Sequence, residues 1–447
     1  MITKLHSQSD FQLLVTIMAT KIIVQPVEGP TASWKVSWKV TGSDSAAQNG
    51  HTETTFQSAD VLFEKYSTPA EFFVGDESKL RLFLEHEGNQ NEIQPGELGQ
   101  PNALTFLLET LRTTTLDATS VKLVSPVGKG NIILSDILRQ RMLDLEYIDK
   151  TATFAQPLQV YENEKWTAST DIISLFKSSL GAVRLRTTST PTPEETLKIL
   201  EGELHNRLPT PLLVPGLKRR TLAFLEGSGL LPDTGGCATQ FYSAAQALGV
   251  DIIVLAVEGH WLQTRPEYAH WRKEFIPVEF GHDDGFPARI VEAVKKASVP
   301  VEAILTTFDS YHVAVAQAAV LLGLKHEPTS AYEIATDKYK ISAFEGRKSF
   351  LASSAEEALD IARNNELPWP LIIKPCRGWG SELVFRVDDI QQLESYASRM
   401  NCSAAHGTEF VMEPYCDGPE VDINFVMYDG EVLFWGMYFI FSERGLN

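Results

Sequence analysis

The sequence predicts an α/β protein: an open parallel-sheet domain followed by a smaller α+β domain, with an α/β or β-rich region ahead of both. Residues 221–323 alternate continuous apolar strands with helices, the pattern of an open parallel sheet. Residues 371–435 carry short strands bounded by turn residues, an antiparallel pattern. The chain has 447 residues, which at roughly 150 per domain suggests about three domains. The expected division is a region of unassigned role at 1–185, a linker and helix at 186–220, the parallel-sheet domain at 221–330 and the α+β domain at 331–447.

The elements follow in order. "SWKVSWKVTG" (33–42) reads as a strand, and "VKLVSPVGKGNIILSDIL" (121–138) as two strands and a helix start. Trp34, Trp38 and Trp166 are expected in packing rather than in a binding site. Thr192, Pro193 and Glu195 mark a helix start, with Thr as cap, Pro in the first turn and Glu three residues after the cap. Strands are expected at 221–226, 251–257 and 301–308, and helices at 238–248, 289–297 and 312–323. One helix is expected over 331–346, and Ser354 with Glu357 forms a capping box for the next. "PLIIKP" and "ELVFRV" are strands joined by the loop "CRGWGS", and "TEFVMEPY" (408–415) is a third. Residues 420–435 form a hairpin turning at Asp429-Gly430.

Composition narrows the function classes. Hydrophobic residues are 43% and charged residues 22%, ordinary globular values that exclude general disorder. With 39 Lys and Arg against 58 Asp and Glu, the net charge is −19, which repels nucleic acid and anionic membranes. An anionic ligand therefore needs a local site. The four cysteines show no C-x-x-C spacing, which fits a reducing compartment and neither a zinc site nor a disulfide framework. No segment reaches the ~20 apolar residues of a membrane helix. The stretch Phe11 to Ala19 lacks the basic start of a signal peptide, so a cytoplasmic chain is expected.

The chemistry concentrates in "LIIKPCRGWGSELVFRV" (371–387). Lys374 ends an apolar strand beside a loop holding Gly378, Gly380 and Ser381. Such glycines let backbone N–H groups wrap an anion, and the ammonium adds a point charge. Taken alone, the loop reads equally as a surface hairpin with a solvated Lys. Downstream, Glu413-Pro414-Tyr415-Cys416 ends a strand and leads by a short connector to Glu420 and Asp422. That arrangement offers backbone groups and the Glu413 carboxylate to an adenine edge, and Glu420 to ribose hydroxyls. The alternative for Glu420 and Asp422 is a solvent-facing position on an alternating strand.

These residues resemble the ATP-grasp superfamily over 221–436, and within it the carnosine synthase-like dipeptide ligases. The likeness rests on an open α/β domain followed by "TDKYKISAF", "LIIKPCRGWGSELV" and "EFVMEPYCDGPEVDINFVMYDGEVLF". It implies a Rossmann-like preceding domain and an ATP-grasp domain. By the resemblance, Lys338 is the first phosphate-contacting Lys, ahead of Lys340, and Lys374 the second. Gly378, Gly380 and Ser381 are the loop that closes over phosphates, Glu413, Tyr415 and Cys416 the adenine-binding hinge, and Glu420 the ribose-binding acid. Arg377, Trp379 and Glu382-Leu383 depart from the small residues usual there.

The implied cofactors are ATP and Mg, and the implied reaction is carboxylate activation. ATP phosphorylates a carboxylate, and an amine attacks the acyl phosphate to form an amide. The implied partners are small-molecule carboxylate and amine substrates, with no nucleic acid and no membrane. The family's metal-binding acids follow the hairpin, whereas "GMYFIFSERGLN" ends this sequence at Asn447 without that pattern. A chain truncated before the metal-binding segment is therefore expected, and no metal ligand is assigned. A non-catalytic nucleotide-binding or interaction protein on the same fold is the alternative reading.

Asp309, Ser310 and His312 fall where a strand meets a helix, a ligand-facing position in an open α/β sheet. They are candidates for substrate binding, with helix capping by Asp309 or Ser310 as the structural alternative. His260, His270, His282 and His312 lack convergent metal-ligand spacing. Gly227, Gly229, Gly235 and Gly236 miss the G-x-G-x-x-G spacing, which discounts NAD. Cys376 sits beside Lys374, whose charge would lower a thiol pKa, but no His partners it.

Overall fold

The computed structural model describes residues 20–41, 55–67, 79–114, 118–186, 191–227, 230–234, 238–378, 380–400, 407–419 and 421–439. They fall into two compact units, one from residues 1–220 with 237–251 and one from residues 221–236 with 252–447.

The first unit is β-rich. Its strands are β1 (Thr20–Pro26), β2 (Ala32–Thr41), β3 (Phe56–Ser67), β4 (Leu80–His86), β5 (Asn89–Ile93), β6 (Ala118–Pro126), β7 (Lys129–Ile132), β8 (Ile148–Thr153), β9 (Val160–Glu162), β10 (Gly181–Leu185) and β11 (Leu213–Val214). Its helices are α1 (Pro101–Thr113), α2 (Ile137–Met142), α3 (Ile172–Ser178), α4 (Pro193–Arg207) and α5 (Ala238–Ala247). Eight strands form an antiparallel sheet in the order β5-β4-β1-β2-β3-β6-β10-β8, and β11-β7-β9 form a small second sheet. In β2 the residues Ala32, Trp34 and Val36 alternate into the core. Trp166 is buried in the same cluster, as packing predicts.

Helix α4 begins as its sequence requires: Thr192 and Glu195 bond each other's backbone, and Pro193 fills the first turn. A buried charge then ties the helix to the sheet. Lys122 on β6 has a fully buried side chain, with Nζ 2.5 Å from Asp60 on β3 and 2.6 Å from Glu201 on α4. Ser58 donates a further hydrogen bond of 2.7 Å to Glu201. Helix α5 is joined to this unit, its Ala247 carbonyl accepting from the backbone N–H of Ser135 at 3.1 Å.

The second unit contains β12 (Arg220–Leu225), β13 (Val250–Ala256), β14 (Glu274–Pro277) and β15 (Ala303–Leu305), in the order β14-β13-β12-β15. β12 with β15, and β13 with β14, are parallel pairs, as the apolar strand-helix alternation predicts. Helices α6 (Trp261–Thr264), α7 (Phe286–Lys295) and α8 (His312–Leu322) belong to this layer. Ile253, Leu255, Phe286, Ile290 and Val315 share its core, and each such side chain contributes about 1.5–3 kcal/mol by leaving water. α8 stops at Gly323, whose φ of 66° is the left-handed cap that suits glycine.

The expected single helix over 331–346 is two helices, α9 (Thr329–Ala335) and α10 (Lys338–Phe344). Asp337 breaks it: its carboxylate accepts from the backbone N–H groups of Tyr339 and Lys340, both at 3.1 Å, and starts a new helix. β16 (Phe350–Ala352), α11 (Ala355–Asn364), β17 (Leu371–Pro375), β18 (Phe385–Val387), α12 (Ile390–Ala397) and β19 (Phe410–Pro414) follow. Their antiparallel sheet runs β16-β19-β17-β18. Ser354 caps α11, but Glu357 turns back to the N–H of Ser353 and not of Ser354, so the box is shifted by one residue. The hairpin β20 (Val421–Tyr428) and β21 (Glu431–Phe439) turns at Asp429 and Gly430, with φ of 50° and 81°. Among the described residues, no helix is long and apolar enough to cross a membrane.

Lys122→Met strands two carboxylates in and beside the core. It is expected to destabilise the first unit by about 3 kcal/mol, read as a lowered midpoint in urea unfolding. An unchanged midpoint would show that the triad contributes nothing.

Candidate functional site

The site is built from the second unit's antiparallel sheet and α10. In β17, Leu371 and Ile373 point into the core, so Ile372 and Lys374 emerge on the opposite face. Glu413 on β19 is opposite Ile372 in register, which makes it the diagonal neighbour of Lys374 on that face. The Lys374 ammonium donates to Glu413 Oε2 at 2.7 Å. Ser342 on α10 donates its hydroxyl to the other oxygen, Oε1, and Arg347 lies 3.9 Å from that same oxygen. Burial opposes the charge on Glu413, but the hydrogen bonds from Lys374 and Ser342 outweigh it and hold the carboxyl below its ordinary range.

Lys338 is the first residue of α10. Its backbone N–H donates to the Cys376 carbonyl at 2.9 Å, which docks the helix start onto the end of β17. Its ammonium donates to the Gly378 carbonyl at 3.1 Å. Lys338 thus reaches from α10 to the loop that follows β17. Burial, and then the charge of Lys374, lower the pKa of Lys338. Asp309 is close enough to act on Lys338 in the opposite sense.

The loop after β17 has an irregular backbone. Gly378, Gly380, Ser381 and Leu383 have φ of 144°, 64°, 57° and 57°. Glycine takes such values freely, whereas Ser381 and Leu383 carry local strain there. Trp379 lies outside the described residues. Cys376 is buried, and its thiol is not activated. Burial, with the charges of Asp337 and Glu409, pushes its pKa up to about 12, overriding the expected effect of the neighbouring Lys.

The remaining candidates are placed as follows. Tyr415 follows β19, its N–H donating to the Pro370 carbonyl at 2.9 Å and its ring covered by the Arg386 guanidinium at 4.7 Å. Cys416 is exposed. Glu420, the candidate ribose acid, lies outside the described residues, as do Gly229, Gly235 and Gly236. Asp309, Ser310 and His312 lie just past the carboxyl end of β15. Neither Asp309 nor Ser310 caps a helix through its side chain, so the capping alternative does not hold. His312 Nε2 is 3.7 Å from Asp309, and its ring stacks on Tyr332. His260 caps α6, accepting from Leu262 N–H at 3.2 Å. Among the described residues, no three His, Cys, Asp or Glu side chains converge on a metal position.

Sequence reasoning missed Asp337, Ser342 and Arg347. An Asp ahead of Lys338 signals a helix cap, and Ser342 lies four residues after Lys338 on the same helix face.

Comparison with known proteins bears on the family of the chain. Residues 242–326 match the model of the ATP-grasp N-terminal domain. The ATP-grasp enzyme fsqD of Aspergillus fumigatus is 40% identical over 324 residues, covering 70% of this chain and 56% of that protein. The chain thus spans little more than half the length of that curated relative. Among solved structures, the L-amino acid ligase from Bacillus licheniformis is 22% identical with a TM-score of 0.39, over 52% of this chain and 53% of that one. D-alanine-D-alanine ligase from Helicobacter pylori is 12% identical with a TM-score of 0.33, over 49% and 70%. This chain belongs to the ATP-grasp superfamily.

Because the folded pKa of Glu413 lies below 4.5, the stability from its ionised form is fully present above that pH and is lost as pH falls below it. Thermal unfolding from pH 7 to pH 3 should show a steeper acid-side loss for the parent chain than for Glu413→Gln. Parallel profiles would mean that the Lys374–Glu413 contact contributes no pH-dependent stability.

Proposed function

We propose that this chain binds ATP on Lys338, Lys374 and the Gly378–Ser381 loop, as the nucleotide-binding part of a carboxylate–amine ligase. The observation that carries this reading is the hydrogen bond of Lys338 to the Gly378 carbonyl, with the charge of Lys374, on the strand that leads into that loop, close enough to act on Lys338. The donors suit a polyphosphate: two ammonium groups, backbone N–H groups of an irregular loop, and no acid among the loop's own Gly378, Gly380 and Ser381. Glu413 holds Lys374 on the face of the sheet away from its core, where α10 packs, and Ser342 holds Glu413. In this reading Glu413 is a positioning residue as well as a candidate acceptor for the adenine amino group. Tyr415 and Cys416 supply backbone groups at the strand end, and Glu420 the ribose contact.

The proposed chemistry is transfer of the ATP γ-phosphoryl group to a substrate carboxylate with release of ADP, followed by attack of an amine on the acyl carbon, which forms the amide and expels inorganic phosphate. The lysines stabilise charge on the phosphoryl oxygens through electrostatics already in place before reaction. Asp309, Ser310 and His312 are the proposed substrate contacts, supported by the electrostatic reach of Asp309 to Lys338. Mg does not fit a protein-built site among the described residues, and no step is assigned to it. The finer reading, a carnosine synthase-like dipeptide ligase of the cytoplasm, rests on "GPEVDINFV" and "ALGVDIIVLAVEGHWL".

Calorimetric titration of Mg-ATP into the 447-residue chain tests the proposal. Saturable binding is expected. Lys374→Ala and Lys338→Ala should each weaken it by roughly ten- to a hundredfold, the value of a charge-assisted hydrogen bond. No binding by the folded parent chain, or binding by both variants as tight as the parent's, overturns it.

A further inference from the structure

The first unit carries a cleft of about 480 Å³ built by α1, β8, α5 and the start of α2. That volume falls in the range of small-molecule sites, roughly 300–1,000 Å³. Every lining residue belongs to the first unit, whereas Lys338 and Lys374 belong to the second. Phe106 and Glu109 line the cleft from one face of α1, three residues apart. Lys150 comes from β8, the edge strand of the eight-stranded sheet. Asp136 and Arg139 come from the start of α2, and Ser243 and Gln246 from one face of α5.

Two ion pairs sit in this lining. Lys150 Nζ donates to Glu109 Oε2, and Arg139 Nη2 donates to Asp136 Oδ2 at 2.7 Å. The lining therefore carries no net charge: one Lys and one Arg stand against one Asp and one Glu. Both pairs keep unused hydrogen-bonding capacity among the described residues. Glu109 Oε1 accepts nothing and Lys150 donates only once. Arg139 donates through Nη2 alone, while the other Asp136 oxygen accepts from Gln140 at 2.8 Å. The Ser243 hydroxyl and the Gln246 carboxamide bond no described group. Thr153, also in the lining, has a buried Oγ1 without a hydrogen-bond partner, an arrangement that folded proteins rarely keep.

We infer that this cleft binds a free amino acid as its zwitterion, anchored on the Glu109–Lys150 pair. An α-ammonium and an α-carboxylate on one carbon make a compact dipole. Set antiparallel to the pair, the ammonium meets Glu109 and the carboxylate meets Lys150, each through a charge-assisted hydrogen bond. Partly exposed ion pairs contribute little by themselves, so Lys150 and Glu109 loosen their mutual contact at small cost. The free nitrogens of Arg139 add donors suited to a carboxylate, and Ser243 and Gln246 offer hydrogen bonds to the rest of the ligand. A lining without net charge selects against simple ions: phosphate meets two carboxylates, and a polyamine meets two cations. A neutral sugar covers the charged groups and returns no charge to them. A zwitterion has no net charge for a chain of −19 to repel.

Calorimetric titration of the full chain at neutral pH with each of the standard L-amino acids tests this. At least one is expected to bind saturably, with a dissociation constant of about 10 μM to 1 mM for so small a ligand. Its amide, which lacks the carboxylate, and its desamino analogue should each bind roughly tenfold more weakly or worse, and Lys150→Gln should weaken the amino acid by a similar factor. Ser243→Gln fills the cleft from α5 without removing a charge and should abolish binding, which keeps the test decisive if Lys150→Gln does not fold. Far-UV circular dichroism establishes the folding of each variant. The titrations contain no nucleotide, so their outcome is independent of Mg-ATP binding at Lys338 and Lys374. The inference is overturned by no saturable binding of any amino acid, by undiminished binding in either folded variant, or by equal binding of the amide and the desamino analogue. Tighter binding of D-glucose or inorganic phosphate, lost in the same variants, overturns it too.

Discussion

One buried carboxylate organises the candidate site. Glu413 accepts from Lys374 on the adjacent strand with one oxygen and from Ser342 on α10 with the other. A carboxylate in that position is tolerable only because both oxygens are satisfied. Removing either partner leaves charge without compensation, so the arrangement is jointly required. The same contacts decide where Lys374 points. Its ammonium is held on the sheet face away from the core, on the side where Ser342 of α10 approaches.

The rest of the site follows from that packing. With α10 seated on β19, its first residue is brought to the end of β17, and the Lys338 N–H closes on the Cys376 carbonyl. Its ammonium then reaches Gly378. Burial, and then the like charge of Lys374, lower the pKa of Lys338. Keeping cations near each other costs electrostatic energy, and an anion between them relieves it. In the proposed nucleotide site, a polyphosphate would relieve that cost within a chain whose overall charge is strongly negative.

Much of the fold was legible along the chain. The parallel layer was readable because buried parallel strands must be continuously apolar, as in Ile252 to Ala256. The Thr192–Glu195 box and the Asp429-Gly430 turn were readable because each is closed by neighbouring residues. The break at Asp337 was hidden by helix-forming residues on both sides, which favour one helix until a side chain competes for the backbone N–H groups. The site was legible in part. Lys338, Lys374 and the glycines of the loop stood out by residue type and order, but Ser342 and Arg347 did not. The spacing of Ser342 from Lys338 on one helix face names no partner, and both residues act through Glu413, 71 residues beyond Ser342.

By itself the sequence determined the strand-helix alternation of the parallel layer, the glycine-bearing loop after an apolar strand, and the acidic balance that forces any anion site to be local. Each depends on interactions between residues close in the chain, or on composition. The tertiary structure alone decided that Cys376 is an inert buried thiol, that Lys122 holds α4 to the first sheet, and that Lys374 faces Glu413. These outcomes depend on which residues distant in sequence share a low-dielectric space. There burial and hydrogen bonding fix protonation and direction together, and no pattern of neighbours along the chain encodes them.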